Sequence, residues 1–147
     1  MHSLTLKALR MALNLSQYAA ANHVGHCSRR QWIRWENPGH DSQSPETVDK
    51  RLLKLVEWSN RVYRSKSKQF EEYEQSARNQ GVEPGDYKIT LEWFNNLESF
   101  QAAHGKKYGL DLWHAYESAV CRLAAERPHN VEFVLRGTMA GGSKGRP

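Results

Sequence analysis

The sequence predicts a mainly helical α+β chain with an N-terminal helix-turn-helix bundle, a long connecting helix and a C-terminal helical half with one or two short strands. Apolar residues recur at helical spacing from Glu46 to about Asn79 and from Leu110 to Glu126. Alternation typical of a strand is confined to Tyr87–Trp93, with a short apolar run at Val131–Leu135 that also favours a strand. We therefore expect a domain at 1–64, a connecting helix and second domain at 65–136, and a flexible tail at 137–147.

The first helix is predicted from an apolar stripe near the start of the chain. The stripe consists of Leu4, Leu6, Leu9 and Leu13. Ser3 or Thr5 is the expected N-cap, because a side-chain hydroxyl can accept a hydrogen bond from a free amide of the first turn. This helix would cover the two short helices that follow.

The stretch 15–37 predicts two short helices around a turn. Ser16 can cap the first of them, and Gly25 is expected to end it by adopting a positive φ. Ser28, followed three residues later by Gln31, has the form of a capping box, in which each side chain bonds to the other residue's amide. The inner face of the first helix is small and apolar: Ala20, Ala21 and Val24. Small residues there allow the second helix, starting at Ser28, to cross closely.

The second helix of this pair has two different sides. Trp32 and Trp35 lie three residues apart on one face, while Arg30 and Arg34 lie four apart on the opposite face. Arg29 belongs to the exposed first turn. We expect the tryptophans to face a core and the arginines to face solvent.

The arginine-rich face predicts contact with double-stranded DNA in the major groove. A guanidinium group matches O6 and N7 of guanine with two hydrogen bonds, and Gln31 can pair with adenine. The alternative is an ordinary solvated helix that is rich in arginine. We favour the DNA interpretation because capping, turn, tryptophan face and arginine face coincide in one short segment.

The same stretch resembles the lambda-repressor-like (Cro/C1 or XRE-type) helix-turn-helix family. The matching residues are Leu15-Ser16-Gln17, Ala21, Val24-Gly25, Ser28-Arg29-Arg30 and Arg34-Trp35-Glu36-Asn37. The resemblance implies that Gln17 opens its helix beside the DNA backbone. It also implies contacts to phosphates or base edges from Ser28, Arg29, Arg30 and Arg34.

Two departures from that family pattern bear on the angle of the second helix. His26-Cys27 makes the turn one residue longer than is common, and Trp32 stands where a smaller aliphatic residue is usual. We therefore expect this helix to enter the groove at an angle different from the one common in that family. The full set of expected DNA contacts is Gln17, Ser28, Arg29, Arg30, Gln31, Arg34, Asn37 and Lys50, with Lys50 on the phosphate backbone.

The charge distribution agrees with a nucleic-acid partner. The chain has a formal net charge of +5. Residues 1–68 hold 12 Lys and Arg against 5 Asp and Glu, a net +7, whereas residues 69–147 hold 9 against 11, a net −2. The basic half is the half with the helix-turn-helix pattern, and phosphate backbones attract such a surface in a salt-dependent way.

Several other classes of protein are not expected from this sequence. It has no apolar run long enough to cross a membrane and no signal-peptide pattern, so a cytoplasmic location is expected. Two cysteines, Cys27 and Cys121, are too few for a disulfide framework. His23, His26 and Cys27 lie close together, but no second ligand pair follows, so we expect no metal or cofactor. We find no catalytic motif and expect no enzyme.

The rest of the chain divides into one long and two shorter helices. Ser44-Pro45-Glu46 is a helix start with proline at the first helical position, and the helix is expected to run to about Asn79, with a weak point at 65–68. A short helix is predicted at Leu97–His104, ended by Gly105, and the last strong helix at Leu110–Glu126.

A second resemblance covers residues 4–126. The chain is similar to a small bacterial family of transcriptional regulators to which the anti-CRISPR-associated repressors of phages and mobile elements are related. The residues that carry it are Ala8-Leu9-Arg10, Arg30-Gln31-Trp32, Trp35-Glu36-Asn37, Leu97, Phe100-Gln101 and Asp111-Leu112-Trp113-His114-Ala115-Tyr116-Glu117-Ser118, running on to Leu123. The resemblance implies a homodimer, formed through the C-terminal half, that represses a nearby operon at an inverted repeat.

A dimer is expected because one helix-turn-helix reads only half a site, and specificity usually needs two half-sites. We expect the last helix to form the dimer interface. The expected interface residues are Trp113, Tyr116, Val120 and Leu123; the alternative is that they fill the core of their own domain. A rival function is an antitoxin-like or RNA-binding regulator whose C-terminal half holds a protein partner, because a basic face attracts RNA as well as DNA.

Overall fold

The computed structural model describes residues 1–137, so the tail expected at 137–147 lies outside the described residues except for Gly137. The helices are α1 (Ser3–Ala12), α2 (Gln17–Ala20), α3 (Arg29–Glu36), α4 (Glu46–Asn79), α5 (Leu97–His104) and α6 (Leu110–Glu126). The strands are β1 (Ile89–Phe94) and β2 (Val131–Arg136). The predicted mainly helical α+β class is confirmed.

The chain forms two compact units. The first contains residues 1–61 together with 110–119, and the second contains residues 62–109 together with 120–137. Helices α4 and α6 therefore each contribute one part to each unit.

The first unit is built around the helix-turn-helix. Its buried cluster consists of Leu6, Leu13, Leu15, Ala20, Ala21, Val24, Trp32, Trp35, Val48, Leu52, Leu55 and Ala115. The apolar stripe of α1 is shorter than predicted, because Leu4 is exposed. The N-cap is also different: the side chain of His2, rather than Ser3 or Thr5, accepts the hydrogen bond from the Leu4 amide, through Nδ1 at 3.2 Å.

Helix α4 is continuous over its 34 residues, including the expected weak point at 65–68. It contains no proline or glycine, which are the usual causes of a break. Glu46 and Asp49 lie in its first turn and Arg78 in its last, where each charge favours the helix dipole. Gly81, with φ of 76°, follows the helix, and the Val82 amide bonds back to the Ala77 carbonyl at 2.9 Å.

The second unit contains a parallel pair of strands, β1 and β2. Ile89 is in register with Val131 and Phe94 with Arg136. A parallel pair needs a long crossover, which α5 and α6 supply. The buried apolar side chains here are Phe70, Ala77, Tyr87, Ile89, Leu91, Phe94, Phe100, Val120 and Leu123.

Candidate nucleic-acid interface

The caps of α2 and α3 are serine side chains. Ser16 Oγ accepts a hydrogen bond from the Ala19 amide at 3.0 Å, and Ser28 Oγ accepts one from the Gln31 amide at 3.1 Å. The reciprocal half of the predicted capping box is absent from these contacts, because the Gln31 amide group instead donates to Ser42 Oγ at 3.2 Å. Gln31 therefore ties α3 to the loop that follows it.

The turn between α2 and α3 departs from the prediction in one respect. Helix α2 continues as a π-helical turn, Ala21–Gly25, and the residue with positive φ is His26, at 48°, rather than Gly25. Glycine is needed at 25 for space, since a Cβ there would lie 2.8 Å from Cys27 Sγ and 3.1 Å from the Trp32 ring. Burial raises the pKa of the Cys27 thiol.

The inner side of α3 is anchored by Trp32, Trp35 and Glu36, all buried. The two indole rings meet edge to face, with centroids 5.7 Å apart and planes at 64°. Trp32 also donates from Nε1 to Glu36 Oε1 at 2.8 Å. The predicted inward face of tryptophans is therefore present, and it includes a carboxylate.

Glu36 lies at the centre of a buried network that joins the first three helices. Arg10 donates from Nε to Glu36 Oε1 at 2.5 Å and from Nη2 to Oε2 at 3.3 Å, and Gln17 donates to Oε2 at 3.0 Å. Burial by itself would raise the pKa of Glu36. The hydrogen bonds from Arg10, Gln17 and Trp32, together with the charge of Arg10, outweigh burial and hold this pKa below its usual range.

The outer side of α3 is basic and open. Arg29, Arg30 and Ile33 are exposed and Arg34 is half-buried; we call these four residues the arginine face. Within residues 1–137, none of the three arginine side chains makes a hydrogen bond or an ion pair. Their guanidinium groups thus have all their donors available to a ligand.

The other predicted contact residues have partners within the chain. Gln17 opens α2 as expected, but its side chain is held by Glu36. Asn37 Oδ1 accepts a hydrogen bond from the Gly39 amide at 2.9 Å, which shapes the turn after α3. Lys50 is exposed and lies 2.8 Å from Glu46 Oε1, one turn earlier on α4.

Two exposed apolar residues were missed by the sequence interpretation. On a helical wheel Ile33 lies between Arg29 and Arg30, so the sequence could have placed it on the arginine face. Tyr18 is exposed on α2, and the sequence around it carries no signal that separates an exposed tyrosine from a buried one.

The expected dimer-interface residues on α6 lie mostly within the chain's own interior. Tyr116, Val120 and Leu123 are buried within a single chain. Trp113 is half-buried, and its buried Nε1 has no hydrogen-bond partner in the described part of the chain. Its ring stacks on that of His114 at 5.8 Å. His114 Nδ1 lies 3.1 Å from Glu117 Oε1 without the alignment of a hydrogen bond.

Residues 1–137 contain no group of three or more His, Cys, Asp or Glu side chains placed to hold a metal ion. In the same residues, no helix combines the length and the apolar character that a membrane span requires.

Comparison with known proteins identifies the family. The family model described as Aca2/YdiL-like matches residues 1–132. No curated protein matches the chain.

Proposed function

Because this chain belongs to the Aca2/YdiL-like family, an anti-CRISPR-associated regulator family, we propose that it is a sequence-specific regulator that binds double-stranded DNA. In this proposal α3 enters the major groove, and two copies of the chain bind an inverted repeat to repress transcription. Membership of the family indicates a regulator role. We propose in addition the DNA target, the dimer and repression.

The observation that carries the proposal is the contrast between the two sides of α3. Its inner side is fixed by the buried Trp32 and Glu36, whereas Arg29, Arg30 and Arg34 have no partner among residues 1–137. A rigid helix with unpaired guanidinium groups on its outer side suits base reading, because the geometry of contact is set before binding.

The chemistry of the arginine face favours DNA bases as well as phosphates. A guanidinium group can donate two parallel hydrogen bonds to O6 and N7 of one guanine. Ile33, between the arginines, offers an apolar surface to a thymine methyl group. Tyr18, exposed on α2, can donate its hydroxyl to a phosphate oxygen. Binding should weaken steeply as salt is raised.

Sequence-specific recognition of DNA also favours binding by two copies of the chain. A single helix-turn-helix reads one short half-site, and regulators of this type usually bind two half-sites about one helical turn apart. A symmetric dimer would read the two halves of an inverted repeat with the same residues of each copy.

The test is selection of bound duplexes from a random DNA pool at physiological salt, where non-specific binding is suppressed. Native chain is compared with the double variant Arg30→Ala/Arg34→Ala and with a charge-matched control, Arg64→Ala/Arg78→Ala, which removes two exposed arginines of α4. We expect the native chain and the control to enrich one inverted repeat and the Arg30/Arg34 variant to enrich none.

The outcomes separate the proposal from its rivals. Enrichment of one inverted repeat by the native chain and the control supports it. If a folded native chain enriches no duplex but retains a structured RNA or a protein from an extract of the cells that express it, the DNA proposal fails and the RNA-binding or antitoxin-like alternative takes its place.

A further inference from the structure

Strand β2 is paired on one side only within the described residues. The Ile89 amide bonds to the Asn130 carbonyl at 2.6 Å and the Asn95 amide to the Arg136 carbonyl at 3.2 Å. The even-numbered residues of β2 therefore direct their backbone groups towards β1. Backbone groups alternate between the two edges of a strand, so the odd-numbered residues direct theirs to the opposite edge. Among residues 1–137 the donors and acceptors of that edge have no strand partner, and such an edge is a template for another strand.

The apolar face of the sheet is covered at β1 and open at β2. Leu91 is 1% exposed, but its register partner Phe133 is 43% exposed. Likewise Trp93 is half-buried, and its register partner Leu135 is 58% exposed. The rings of Trp93 and Phe133 meet edge to face at 5.6 Å, so the exposed side chains continue the apolar surface. The apolar face of the sheet is therefore shielded from solvent at β1 but not at β2.

When two copies of β2 run in opposite directions, the residues before Val134 in one copy match in charge and polarity the residues after Val134 in the other. Glu132 and Arg136 lie two residues before and after Val134, and Phe133 and Leu135 lie one residue before and after it. If two copies of β2 pair antiparallel about a two-fold axis at Val134, Glu132 faces Arg136 of the second copy and Phe133 faces Leu135 of the second copy. Opposite charges and apolar pairs across antiparallel strands both stabilise a sheet.

From these three observations we propose that β2 pairs antiparallel with β2 of a second copy, centred on Val134, and forms a continuous four-stranded sheet in the order β1-β2-β2-β1. This inference rests on the proposed function, which requires two copies, and specifies the surface that joins them. The pairing is symmetric and closed, so it stops at a dimer. It also covers the exposed edge of β2 and places Phe133 and Leu135 in one apolar surface shared by both copies.

Other registers satisfy the strand less well. If the two-fold axis lies midway between two residues of β2, the apolar face of one copy and the polar face of the other lie on the same side of the sheet. An axis at Glu132 or at Arg136 sets like charges opposite each other. An axis at Phe133 or at Leu135 sets a charged side chain opposite Val134. Of these registers, the one centred on Val134 alone pairs every charged and apolar residue of Glu132–Arg136 with a complementary one.

Cysteine cross-linking tests the register. Val134 directs its backbone groups towards β1, so the two copies of Val134 form a non-hydrogen-bonded pair with Cα atoms about 4.5 Å apart, which a disulfide can bridge. The Val134→Cys variant is therefore expected to cross-link to itself under mild oxidation. Two copies of residue 132 lie about 13 Å apart in this register, four residues of strand, so Glu132→Cys alone should not cross-link. Glu132→Cys mixed with Arg136→Cys should. The native chain, with Cys27 and Cys121, is the control.

Charge reversal tests the same pairing without a covalent bond. In the Glu132→Arg variant, the new arginine of each copy faces Arg136 of the other copy, so like charges meet at both ends of the β2–β2 pairing. We expect this variant to raise the dimer dissociation constant about tenfold. Adding Arg136→Glu restores opposite charges and should restore the dimer. Arg136 also lies 3.3 Å from Glu92 within the chain, so Glu92→Gln is the matched control, with an unchanged constant expected. Dissociation is measured by sedimentation equilibrium and folding by circular dichroism.

The results distinguish this proposal from the proposed function. Self-cross-linking of Val134→Cys, with rescue of Glu132→Arg by Arg136→Glu, supports the β2 pairing. A dimer that selects an inverted repeat but neither cross-links at residue 134 nor responds to Glu132→Arg would overturn the pairing and leave the DNA-binding proposal standing. A folded chain that is monomeric at all concentrations and selects no duplex would overturn both.

Discussion

Arg10 of α1 and Glu36 at the end of α3 form a buried ion pair, with Nε and Oε1 2.5 Å apart. The same guanidinium donates from Nη1 to the Leu15 carbonyl at 2.7 Å, just before α2 begins. One arginine side chain therefore joins three consecutive helices, which uses the several fixed donors of a guanidinium group. This contact ties the end of α3 to α1 and to the residue before the N-cap of α2.

Replacement of Glu36 by glutamine should destabilise the fold. Glu36→Gln keeps the size of the side chain but leaves the buried charge of Arg10 without its counter-ion, and breaking one half of a buried pair typically costs about 3–5 kcal/mol. The measurement is the free energy of unfolding in urea at pH 7. Glu57→Gln, which removes an exposed carboxylate of α4, is the control and should change stability by less than about 0.5 kcal/mol. Equal losses in the two variants would contradict the role given to the pair.

The effect of Glu36 on stability should also depend on pH in a defined direction. Its pKa is lower in the folded chain than in the unfolded chain, so folding favours the ionised form. The stabilisation is fully present above the ordinary carboxyl pKa of about 4.3 and is lost as pH falls through the lower folded-state value. The stability difference between native chain and Glu36→Gln should therefore be constant above about pH 5 and shrink below about pH 4. A difference that grows on acidification would contradict the assignment.

The helix-turn-helix could be predicted because its signals are local. Ser16 and Ser28 cap their helices as the sequence indicated, and the spacing of Trp32 and Trp35 placed them on the buried side of α3. The long helix α4 and the helix α6 were predicted for the same reason, since helical periodicity is visible in a single sequence.

Contacts between distant residues could not be predicted in this way. Arg10 and Glu36 lie 26 positions apart, and nothing in a list of charges says which pairs will be buried together. The parallel pairing of β1 with β2 joins segments separated by two helices. The apolar stripe of α6 was visible, but an apolar stripe looks the same whether it covers its own core, as Val120 and Leu123 do, or a second copy.

Arg34 should contribute to specificity and Lys50 to affinity alone. Arg34 has no partner among the described residues, and loss of a two-bond contact to guanine costs about 1–3 kcal/mol at one base position. Lys50→Ala should weaken binding to all duplexes alike and lower the salt dependence of binding. The measurement is titration of each variant with the selected duplex, with its single-base substitutions and with a random duplex. Equal losses on specific and random duplexes for Arg34→Ala would remove its base-reading role.

Leu123 should act on folding rather than on assembly. Its side chain is fully buried within one chain, so Leu123→Ala should lower the free energy of unfolding by about 2–5 kcal/mol. Where the variant is still folded, its dimer dissociation constant should match that of the native chain. Sedimentation equilibrium at temperatures well below unfolding provides the check. A folded Leu123→Ala chain that is monomeric where the native chain is dimeric would return α6 to the interface.

The turn before α3 should tolerate no added carbon at Gly25. An alanine Cβ there would meet Cys27 Sγ at 2.8 Å and the ring of Trp32, which is fully buried, at 3.1 Å. Overpacking of this kind costs about 1–3 kcal/mol, which exceeds the gain of about 0.4–1 kcal/mol from restricting the unfolded chain. Gly85→Ala, with nothing within 4 Å of the added carbon, is the matched control and should be neutral or slightly stabilising. Because Trp32 orients α3, Gly25→Ala should weaken DNA binding as well as folding, and a variant as stable as Gly85→Ala would show that the turn can move away from the ring.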